Sequence, residues 1–447
     1  MENINRRQFL NSSVRGAALG VAAVSLTPHR VLGANEKVVL ALIGAGGRGS
    51  VVIQAMNKLK DVETKYVCDV DDSRGGWAMQ GLEEIQGFAP KRIIDMKEVF
   101  DDKDVDGVVV ATPEHWHALA TVWACQAGKD VMVEKSISRT IWESRKMVEA
   151  ARKYNRIVQC GTQNRSATYG FSAREYIKSG NLGRVVHVKV YHMLPGSGWR
   201  PRPDSQTPAG LDWDRWLGPT AMVPYNVSRH RGWSNYWEYS SGMLGGGATH
   251  QMDLARLVLD NPPHPKAVYC AGGRLAFDDE RQTPDTQAVT YDFGKFTMTC
   301  EMLDFTPYNK KSQEDVRFGD KFPYWPQNGT RIEIYGTKRM MYVGRMGGGW
   351  QVFEGDGKVV DYEYGYYPDE LHNQNFIDCI RSRKLPNGDI EYGHYSASMA
   401  HLGNLAYRAG NKQLIFDAKT ETFVNSDEAN KLLKPVYRKP YYIPDQV

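Results

Sequence analysis

The spacing of hydrophobic positions changes once along the chain, near residue 162. Before this point, short apolar runs typical of buried parallel strands alternate with segments of helical spacing, beginning with the run Val38–Ile43. This alternation predicts a parallel sheet with helices on both faces, and six strand positions are complete by residue 162. We therefore expect a doubly wound α/β domain over residues 35–162.

After residue 162 the apolar residues alternate with polar ones, as they do at 185–191, 288–293 and 331–335. This spacing predicts a mostly antiparallel open sheet, whose second face packs on helices or on another subunit. Helical spacing returns near the end of the chain, and we expect these helices to pack back on the body. Residues 163–447 are the predicted substrate and oligomerisation domain.

A glycine-rich turn directly follows the first apolar run. Residues 44–49 fit the pattern G-x-G-x-x-G, and helical spacing begins after them. Glycines allow a sharp turn and the close approach of a pyrophosphate, which the helix N-terminus then binds. A strand, this turn and a helix together predict a dinucleotide site of the Rossmann type. The predicted cofactor-binding residues of the turn are Gly44, Gly46, Gly47, Arg48 and Gly49.

Asp69 ends the second predicted strand, about 20 residues after the turn. A carboxylate at this place accepts hydrogen bonds from a ribose 2′-hydroxyl, which favours NAD. Arg74 is the alternative signal, because an arginine there binds the 2′-phosphate of NADP. We expect NAD as the cofactor.

The charged pair Glu134 and Lys135 follows another buried run, at the sheet edge where ligands bind in doubly wound folds. Lys135 there points at the nicotinamide end of a dinucleotide; the alternative is a solvated pair on a loop. Gln163, Asn164 and Arg165 leave the last parallel strand at the same edge. We expect them to bind cofactor ribose or substrate hydroxyls, with a bridge between domains as the alternative for Arg165.

Composition and the N-terminus bear on the partners and the location of the protein. The formal charge of +4 comes without a basic tract, so nucleic acid is not an expected partner. Residues 1–34 combine the pair Arg6 and Arg7 with a short apolar run and small residues, as in a twin-arginine export signal. The run is too short to span a bilayer. We expect a periplasmic protein, exported folded, with no membrane span in its mature form.

The remaining candidate ligands indicate no metal site. The six cysteines are scattered without a C-x-x-C pair, and buried free thiols are expected. His115 and His117 are two residues apart and lack an accompanying cluster of acids or thiols. Packing or helix capping is the expected role of these histidines.

Four motifs together resemble the Gfo/Idh/MocA oxidoreductases. They are the glycine-rich turn, the Thr112-Pro113 pair with His117, the Glu134-Lys135 pair and the stretch 245–253. Further similarity at 373–416 extends the resemblance over nearly the whole chain after the signal. It implies a Rossmann domain, a C-terminal α/β domain whose sheet mediates homo-oligomers, and NAD(P)-linked chemistry on sugars or polyols. It also implies cofactor contacts for Thr112, Pro113, His117 and Glu134.

The resemblance implies catalytic roles for Lys135, which reaches the nicotinamide and the reacting oxygen, and for His250 as acid and base. Two positions depart from the family pattern. Ser136 stands in place of a proline, and Gly246 stands where many members have an aspartate four residues before the histidine. The base is then His250 alone or another group, such as Tyr191 or His192.

Hydride removal from a carbinol carbon requires a base for the hydroxyl proton and a positive group for the developing alkoxide. A neutral His250 suits the first role and Lys135 the second. Trp233 is predicted to stack on a sugar ring, with packing as the alternative; Tyr191 is the other predicted substrate contact. We predict an exported oxidoreductase acting on a sugar or glycoside with a tightly held NAD. The alternatives are an NAD-dependent glycosidase without net redox change and a non-catalytic sugar- or cofactor-binding protein.

Overall fold

The computed structural model describes residues 36–447. The predicted export signal at 1–34 lies outside the described residues. Among residues 36–447, no helix combines the length and apolar character that crossing a membrane requires. All six cysteines are buried and unpaired, as predicted.

The first sheet confirms the doubly wound prediction. Its six strands are all parallel and lie in the order β3-β2-β1-β4-β5-β6. The strands are β1 (Val38–Ile43), β2 (Val62–Cys68), β3 (Lys91–Ile93), β4 (Gly107–Val110), β5 (Asp130–Val133) and β6 (Val158–Cys160). The helices of this half are α1 (Gly47–Asn57), α2 (Gly76–Gln86), α3 (Lys97–Asp101), α4 (Glu114–Gln126) and α5 (Ile141–Lys153). Every residue of β1, β4 and β5 is buried, since helices cover both faces.

The second sheet has ten strands and is mostly antiparallel, as predicted. Their order is β14-β13-β12-β11-β7-β10-β9-β8-β15-β16, and only the central pair β7 and β10 is parallel. The strands are β7 (Val185–Met193), β8 (Ala267–Gly273), β9 (Thr286–Asp292), β10 (Thr297–Leu303), β11 (Arg331–Gly336), β12 (Met340–Gly344), β13 (Trp350–Phe353), β14 (Val359–Glu363), β15 (Leu414–Asp417) and β16 (Thr422–Phe423).

Helices cover one face of the second sheet. Along β9 the buried residues Gln287, Val289 and Tyr291 alternate with more exposed ones, and the buried residues pack on the helices Thr249–Val258 and Ile390–Arg408. The helices are α6 (Thr168–Lys178), α7 (Trp213–Leu217), α8 (Val227–Arg231), α9 (Thr249–Val258), α10 (Glu314–Arg317), α11 (Asp369–Ser382), α12 (Ile390–Arg408) and α13 (Asp427–Asn430). A π-helix, Leu244–Ala248, leads directly into α9.

The end of the chain returns to the first sheet. Phe376 and Ile377 of α11 share a buried cluster with Ile53 of α1. Further on, the ring of Tyr441 packs edge-on against Trp116 of α4, with ring centroids 5.3 Å apart. The C-terminal segment therefore lies beside the carboxyl edge of the parallel sheet, where the candidate site is built.

Candidate active site

The glycine-rich turn has the backbone geometry that a dinucleotide site requires. Gly44 has φ +91°, and a Cβ there would stand 2.6 Å from the Thr112 backbone nitrogen, so glycine is needed for the fold itself. Gly46 and Gly47 differ, because a Cβ on either would meet no atom within 4 Å. Gly46 precedes α1 without a side-chain cap. The first amides of α1 are therefore open to an anion.

Two acids, Asp69 and Asp71, follow β2 and lie beside the glycine-rich turn. Asp69 accepts hydrogen bonds from the backbone nitrogens of Ala45, at 2.7 Å, and Asp71, at 3.0 Å. Burial raises the pKa of the Asp69 carboxyl, and these two bonds oppose the rise. The Asp71 carboxylate pairs with Arg231 at 3.0 Å. Two carboxylates at this end suit ribose hydroxyls and disfavour a 2′-phosphate.

The cavity that these residues line has a volume of about 440 Å³. The turn, Asp69, Thr112 and Pro113 form one side, and the aromatic rings of Trp216, Trp233 and Tyr441 close the other. The open cradle above the glycines fits a pyrophosphate. The buried hydroxyl of Thr112, which has no hydrogen-bond partner among the described residues, fits a polar ligand in the cavity. The residues present therefore suit a dinucleotide.

Glu134 and Lys135 lie where β5 ends, and Arg48 joins them. The Arg48 Nε donates to Glu134 Oε1 at 2.7 Å, and its terminal nitrogens reach Asp369 of α11 at 3.3–3.4 Å. Burial favours the neutral acid at Glu134, but the positive charges of Arg48 and Lys135 outweigh it and hold the pKa below its ordinary value. Arg48 thus ties the glycine turn to the Glu134-Lys135 pair and to the C-terminal segment.

Lys135 crosses from the first half to the second. Its ammonium nitrogen donates to the Gly246 carbonyl at 2.5 Å, and burial lowers its pKa. The Lys135-Ser136 peptide bond is cis. His117 supports this segment, since its ring nitrogens lie 2.7 Å from the Ser136 and Thr112 carbonyl oxygens. His117 therefore links the ends of β4 and β5 beneath the site.

A second cavity of about 390 Å³ adjoins the first. Lys135 and Gly246 form its inner wall, and Trp199 and Trp233 lie on its sides. Trp233 lines both cavities, so this indole forms part of the border between them. An aromatic wall with polar groups at the inner end suits a sugar ring.

Further out, Asp304 and Arg281 line the same cavity and pair at 3.4 Å. Burial raises the pKa of Asp304 to about 6. Sequence reasoning missed both residues, because they lie in connections between strands of the second sheet and carry no local motif. It also missed Glu114, the first residue of α4, which lines the cavity beside Lys135. Glu134 was selected because ligands of doubly wound folds bind where the parallel strands end. The same reasoning applies to Glu114, which follows β4.

His250 lies on α9, the helix that follows the π-helix containing Gly246. It is buried, and its Nδ1 has no hydrogen-bond partner among the described residues. Burial, followed by the charges of Arg345 and Lys135, holds its pKa well below the usual range, so the imidazole is neutral. His250 is not among the described residues that line either cavity. His192 packs closely against Gly247, where a Cβ would stand 2.4 Å from its ring.

Three residues predicted to contact the ligands, Asn164, Arg165 and Tyr191, are not among the described residues that line either cavity. The Arg165 guanidinium, 1% exposed, pairs with Asp253 of α9 at 2.7 Å, which makes it an interior link. Asn164 donates to the Tyr169 hydroxyl at 2.9 Å in the same interior. Tyr191 lies beneath the Arg331 guanidinium, 3.8 Å from its carbon to the ring centre. Strand alternation therefore points Tyr191 to the opposite face of β7 from His192.

Gln163 is buried next to these residues, and its side-chain oxygen has no partner among the described residues.

One cluster elsewhere has side chains that can bind a metal ion: the ligand atoms of His264, His394 and Glu421 lie within 4.8 Å of one another. The Arg145 guanidinium donates to the same Glu421 oxygen at 2.6 Å. A fixed cation thus already neutralises this carboxylate.

Fold and site define a two-sheet dinucleotide-binding protein with a small-molecule cavity at the end of its parallel sheet. Family models specify it further. Residues 38–162 match the oxidoreductase family with an NAD-binding Rossmann fold. Residues 172–342 match the GFO/IDH/MocA C-terminal domain, and 309–443 the C-terminal alpha/beta domain of the oxidoreductase family. The chain belongs to the Gfo/Idh/MocA oxidoreductases.

Curated relatives are distant. A glycosyl hydrolase family 109 protein of Stenotrophomonas maltophilia is 29% identical over 42% of this chain and 42% of its own length. Levoglucosan dehydrogenase of Pseudarthrobacter phenanthrenivorans is 29% identical over 37% of this chain and 36% of its own. The matched region thus spans less than half the length of these two relatives. Alpha-N-acetylgalactosaminidase of Shewanella oneidensis is 24% identical over 75% of this chain and 84% of its own.

Solved structures share the fold. The WlbA dehydrogenase from Bordetella pertussis, in complex with NADH and UDP-GlcNAcA, is 19% identical with a TM-score of 0.62, over 86% of this chain and 99% of that one. Levoglucosan dehydrogenase, in complex with NADH and levoglucosan, is 17% identical with a TM-score of 0.61, over 88% of this chain and 100% of that one.

Proposed function

We propose that the protein is an NAD-dependent oxidoreductase that transfers hydride between the nicotinamide and a hydroxyl-bearing or keto carbon of a sugar or glycoside. The observation that carries this proposal is the meeting of two cavities at Trp233, one built for a dinucleotide and one for a sugar ring. Relatives that bind NADH together with a sugar or a nucleotide sugar support it.

The chain's own residues provide positioning and charge. A bound nicotinamide supplies the hydride acceptor. The second cavity, lined by Lys135, Gly246, Trp199 and Trp233, is called the sugar cavity, and the first is called the cofactor cavity. Lys135 places a positive nitrogen on the wall of the sugar cavity, where it stabilises an alkoxide. The Gly246 carbonyl orients this nitrogen, and Glu134 and Arg48 hold the backbone from which it extends. The flanking indoles exclude water from the reacting carbon.

Purified protein mixed with NAD and a panel of methyl and aryl glycosides tests this function. We expect absorbance of reduced nicotinamide to appear with at least one sugar that raises the melting temperature of the protein. Bound dinucleotide that is never reduced, with any sugar shown to bind, would contradict it.

A second candidate has support from two relatives, the family 109 protein and the Shewanella galactosaminidase. In an NAD-dependent glycosidase, the sugar is oxidised and later reduced again on the same enzyme. Aryl glycosides distinguish the two, because a glycosidase releases the aglycone without net reduction of NAD, whereas a dehydrogenase accumulates NADH and keeps the glycosidic bond.

We further propose that NAD is resident. Asp71, which pairs with Arg231, lines the cavity, and the rings of Trp216 and Tyr441 line it from the second half of the chain. Heat denaturation of protein purified without added cofactor is expected to release about one nucleotide per chain, and an empty protein would contradict residence.

Export by the twin-arginine route to the periplasm also belongs to this proposal, supported by Arg6 and Arg7. Replacing both with lysine is expected to leave the protein in the cytoplasm.

We also propose that the protein forms a homo-oligomer through the second sheet. Exposed large apolar residues on the strands of this sheet support it: Val186, Tyr269 and Tyr362. Light scattering of the purified protein measures its mass directly.

A further inference from the structure

Glu114 is a buried carboxylate that the proposed roles leave unused. It is the first residue of α4, follows the end of β4 through Pro113, and is only 2% exposed. Burying an ionised carboxylate is costly unless hydrogen bonds or charges compensate for the lost water. Its neighbours therefore indicate which protonation state the site is built to hold.

The two oxygens of Glu114 have different surroundings. Oε2 accepts short hydrogen bonds from the Ser241 amide, at 2.6 Å, and from the Ser241 hydroxyl, at 2.7 Å. Oε1 has only a long contact, 3.5 Å, with the Ser240 hydroxyl. One oxygen is thus anchored, and the other retains capacity for a further hydrogen bond.

The less engaged oxygen lies beside Gly246. A Cβ built on Gly246 would meet one atom within 4 Å, Glu114 Oε1, at 3.7 Å. The carbonyl of Gly246 holds the Lys135 ammonium at 2.5 Å. All three residues line the sugar cavity. The missing side chain at position 246 therefore leaves room beside a carboxylate supplied by the other half of the chain.

His250, the other candidate base, is placed differently. It is not among the described residues lining the cavity, whereas Glu114 and Lys135 are. A general base must come within hydrogen-bond reach of the proton that it removes. Cavity geometry favours Glu114 for direct contact with a sugar hydroxyl.

We propose that Glu114 is the proton acceptor of the reaction and that it takes the place of a carboxylate at position 246. This inference rests on the proposed function. In the direction of oxidation, the O–H bond of the sugar hydroxyl breaks and an O–H bond forms on Glu114 Oε1. The C–H bond of the same carbon breaks with its electron pair, which leaves as hydride to the nicotinamide. The carbinol becomes a ketone, and Lys135 stabilises the oxygen during the change.

Electrostatics agree with this role. Burial raises the pKa of Glu114 to about 7, while the Ser241 hydrogen bonds, the Lys135 charge and the Ser240 hydroxyl oppose the rise. Lys135 is the charged group that faces it, and Ser240 and Ser241 are its neutral partners. A base with a pKa near the working pH is the most effective.

The decisive variant is Glu114→Gln, which keeps an oxygen to accept from the Ser241 amide. We expect kcat to fall about 10²–10⁴-fold with little change in KM. In the wild type, kcat/KM for oxidation rises with pH through about 7 as Glu114 loses its proton, and this rise disappears in the variant. Glu143→Gln removes another buried carboxylate, which accepts from the Tyr437 hydroxyl, and serves as the matched control.

Rescue separates a chemical role from a structural one. Adding Gly246→Asp to Glu114→Gln supplies a carboxylate beside the vacated oxygen, and we expect at least about tenfold recovery of kcat. A structural role predicts no recovery. Ser241→Ala removes one hydrogen bond to the anion, which raises the pKa of Glu114, so the pH rise of kcat/KM moves to higher pH. The last result stands even if the glutamine variant folds poorly.

Stability without cofactor gives an independent readout. The pKa of Glu114 is raised from 4.5 to about 7 in the folded protein, so its contribution to stability is present below pH 4.5 and is lost as pH rises through 7. Relative to Glu114→Gln, the wild type is expected to lose unfolding free energy as pH rises over this range.

Each failure has its own signature. If the wild type oxidises sugars but Glu114→Gln keeps its kcat and its pH profile, the role of Glu114 is refuted and the proposed function stands. The same holds if activity falls in parallel with stability and Gly246→Asp restores neither. If the wild type oxidises no sugar that binds, the proposed function itself fails, and the stability measurement still reports the state of Glu114.

Discussion

The two cavities of this protein adjoin at Trp233 but are built in different ways. In the cofactor cavity, main-chain geometry dominates: four glycines and the start of α1 lie within one short stretch, 44–49. In the sugar cavity, side chains dominate, and Glu114, Lys135 and Arg281 come from distant parts of the chain. Backbone recognition suits a ligand common to many enzymes, whereas side chains decide which sugar binds and what happens to it.

Of the variants that compare the two cavities, a change at Lys135 is expected to show the largest effect, because Lys135 is the positive group on the wall of the sugar cavity. Lys135→Met removes the positive charge at the developing alkoxide while keeping the length of the side chain. We expect kcat to fall about 10²–10³-fold, with cofactor affinity changed far less. Steady-state kinetics and a nucleotide-binding titration measure both. Lys91→Met, at an exposed ion pair with Glu98, is the control; equal losses in both variants would contradict the assignment.

The glycine turn contains its own contrast between folding and binding. Gly44→Ala forces a Cβ against the Thr112 backbone at positive φ, and we expect a loss of about 3 kcal/mol in unfolding free energy. Gly46→Ala meets no protein atom, so stability is expected to stay within about 0.5 kcal/mol while NAD affinity falls about tenfold. Chemical denaturation and calorimetry separate the two. Unchanged NAD affinity in Gly46→Ala would place the pyrophosphate elsewhere.

The smallest expected effect tests the border between the cavities. Trp233 lines both, whereas Trp199 lines only the sugar cavity. Trp233→Ala is expected to raise KM for the sugar and Kd for NAD by about tenfold each, and Trp199→Ala only the first. Equal profiles for the two variants would show that the cavities are not separated as described.

The same contrast explains what could be predicted from sequence. The sequence was sufficient to predict the parallel sheet, the glycine turn, Asp69 and Lys135. Each follows from a local pattern and from the rule that the ends of parallel strands lie at one edge of the sheet. The parallel pairing of β7 with β10 was not, since strand alternation carries no information about partners.

Side-chain placement set the other limit. Arg165 and Asn164 follow the correct strand, but interior partners at Asp253 and Tyr169 turn them away from the cavities. Tyr191 and His192 are neighbours in sequence on opposite faces of one strand, and the sequence offered no reason to choose between them. Glu114 follows a strand end, as Glu134 does, but its place beside Gly246, more than a hundred residues away, is known only from the structure.

Hydride transfer from sugar to nicotinamide is the central claim, and isotope transfer tests it most directly. A methyl glycoside that binds the protein, deuterated at every ring carbon, is incubated with the enzyme and NAD, and the nucleotide is analysed by mass spectrometry. The account predicts reduced nicotinamide carrying one deuterium, with Lys135→Met slowing its appearance. Binding of both ligands with no deuterium in the nucleotide would contradict it.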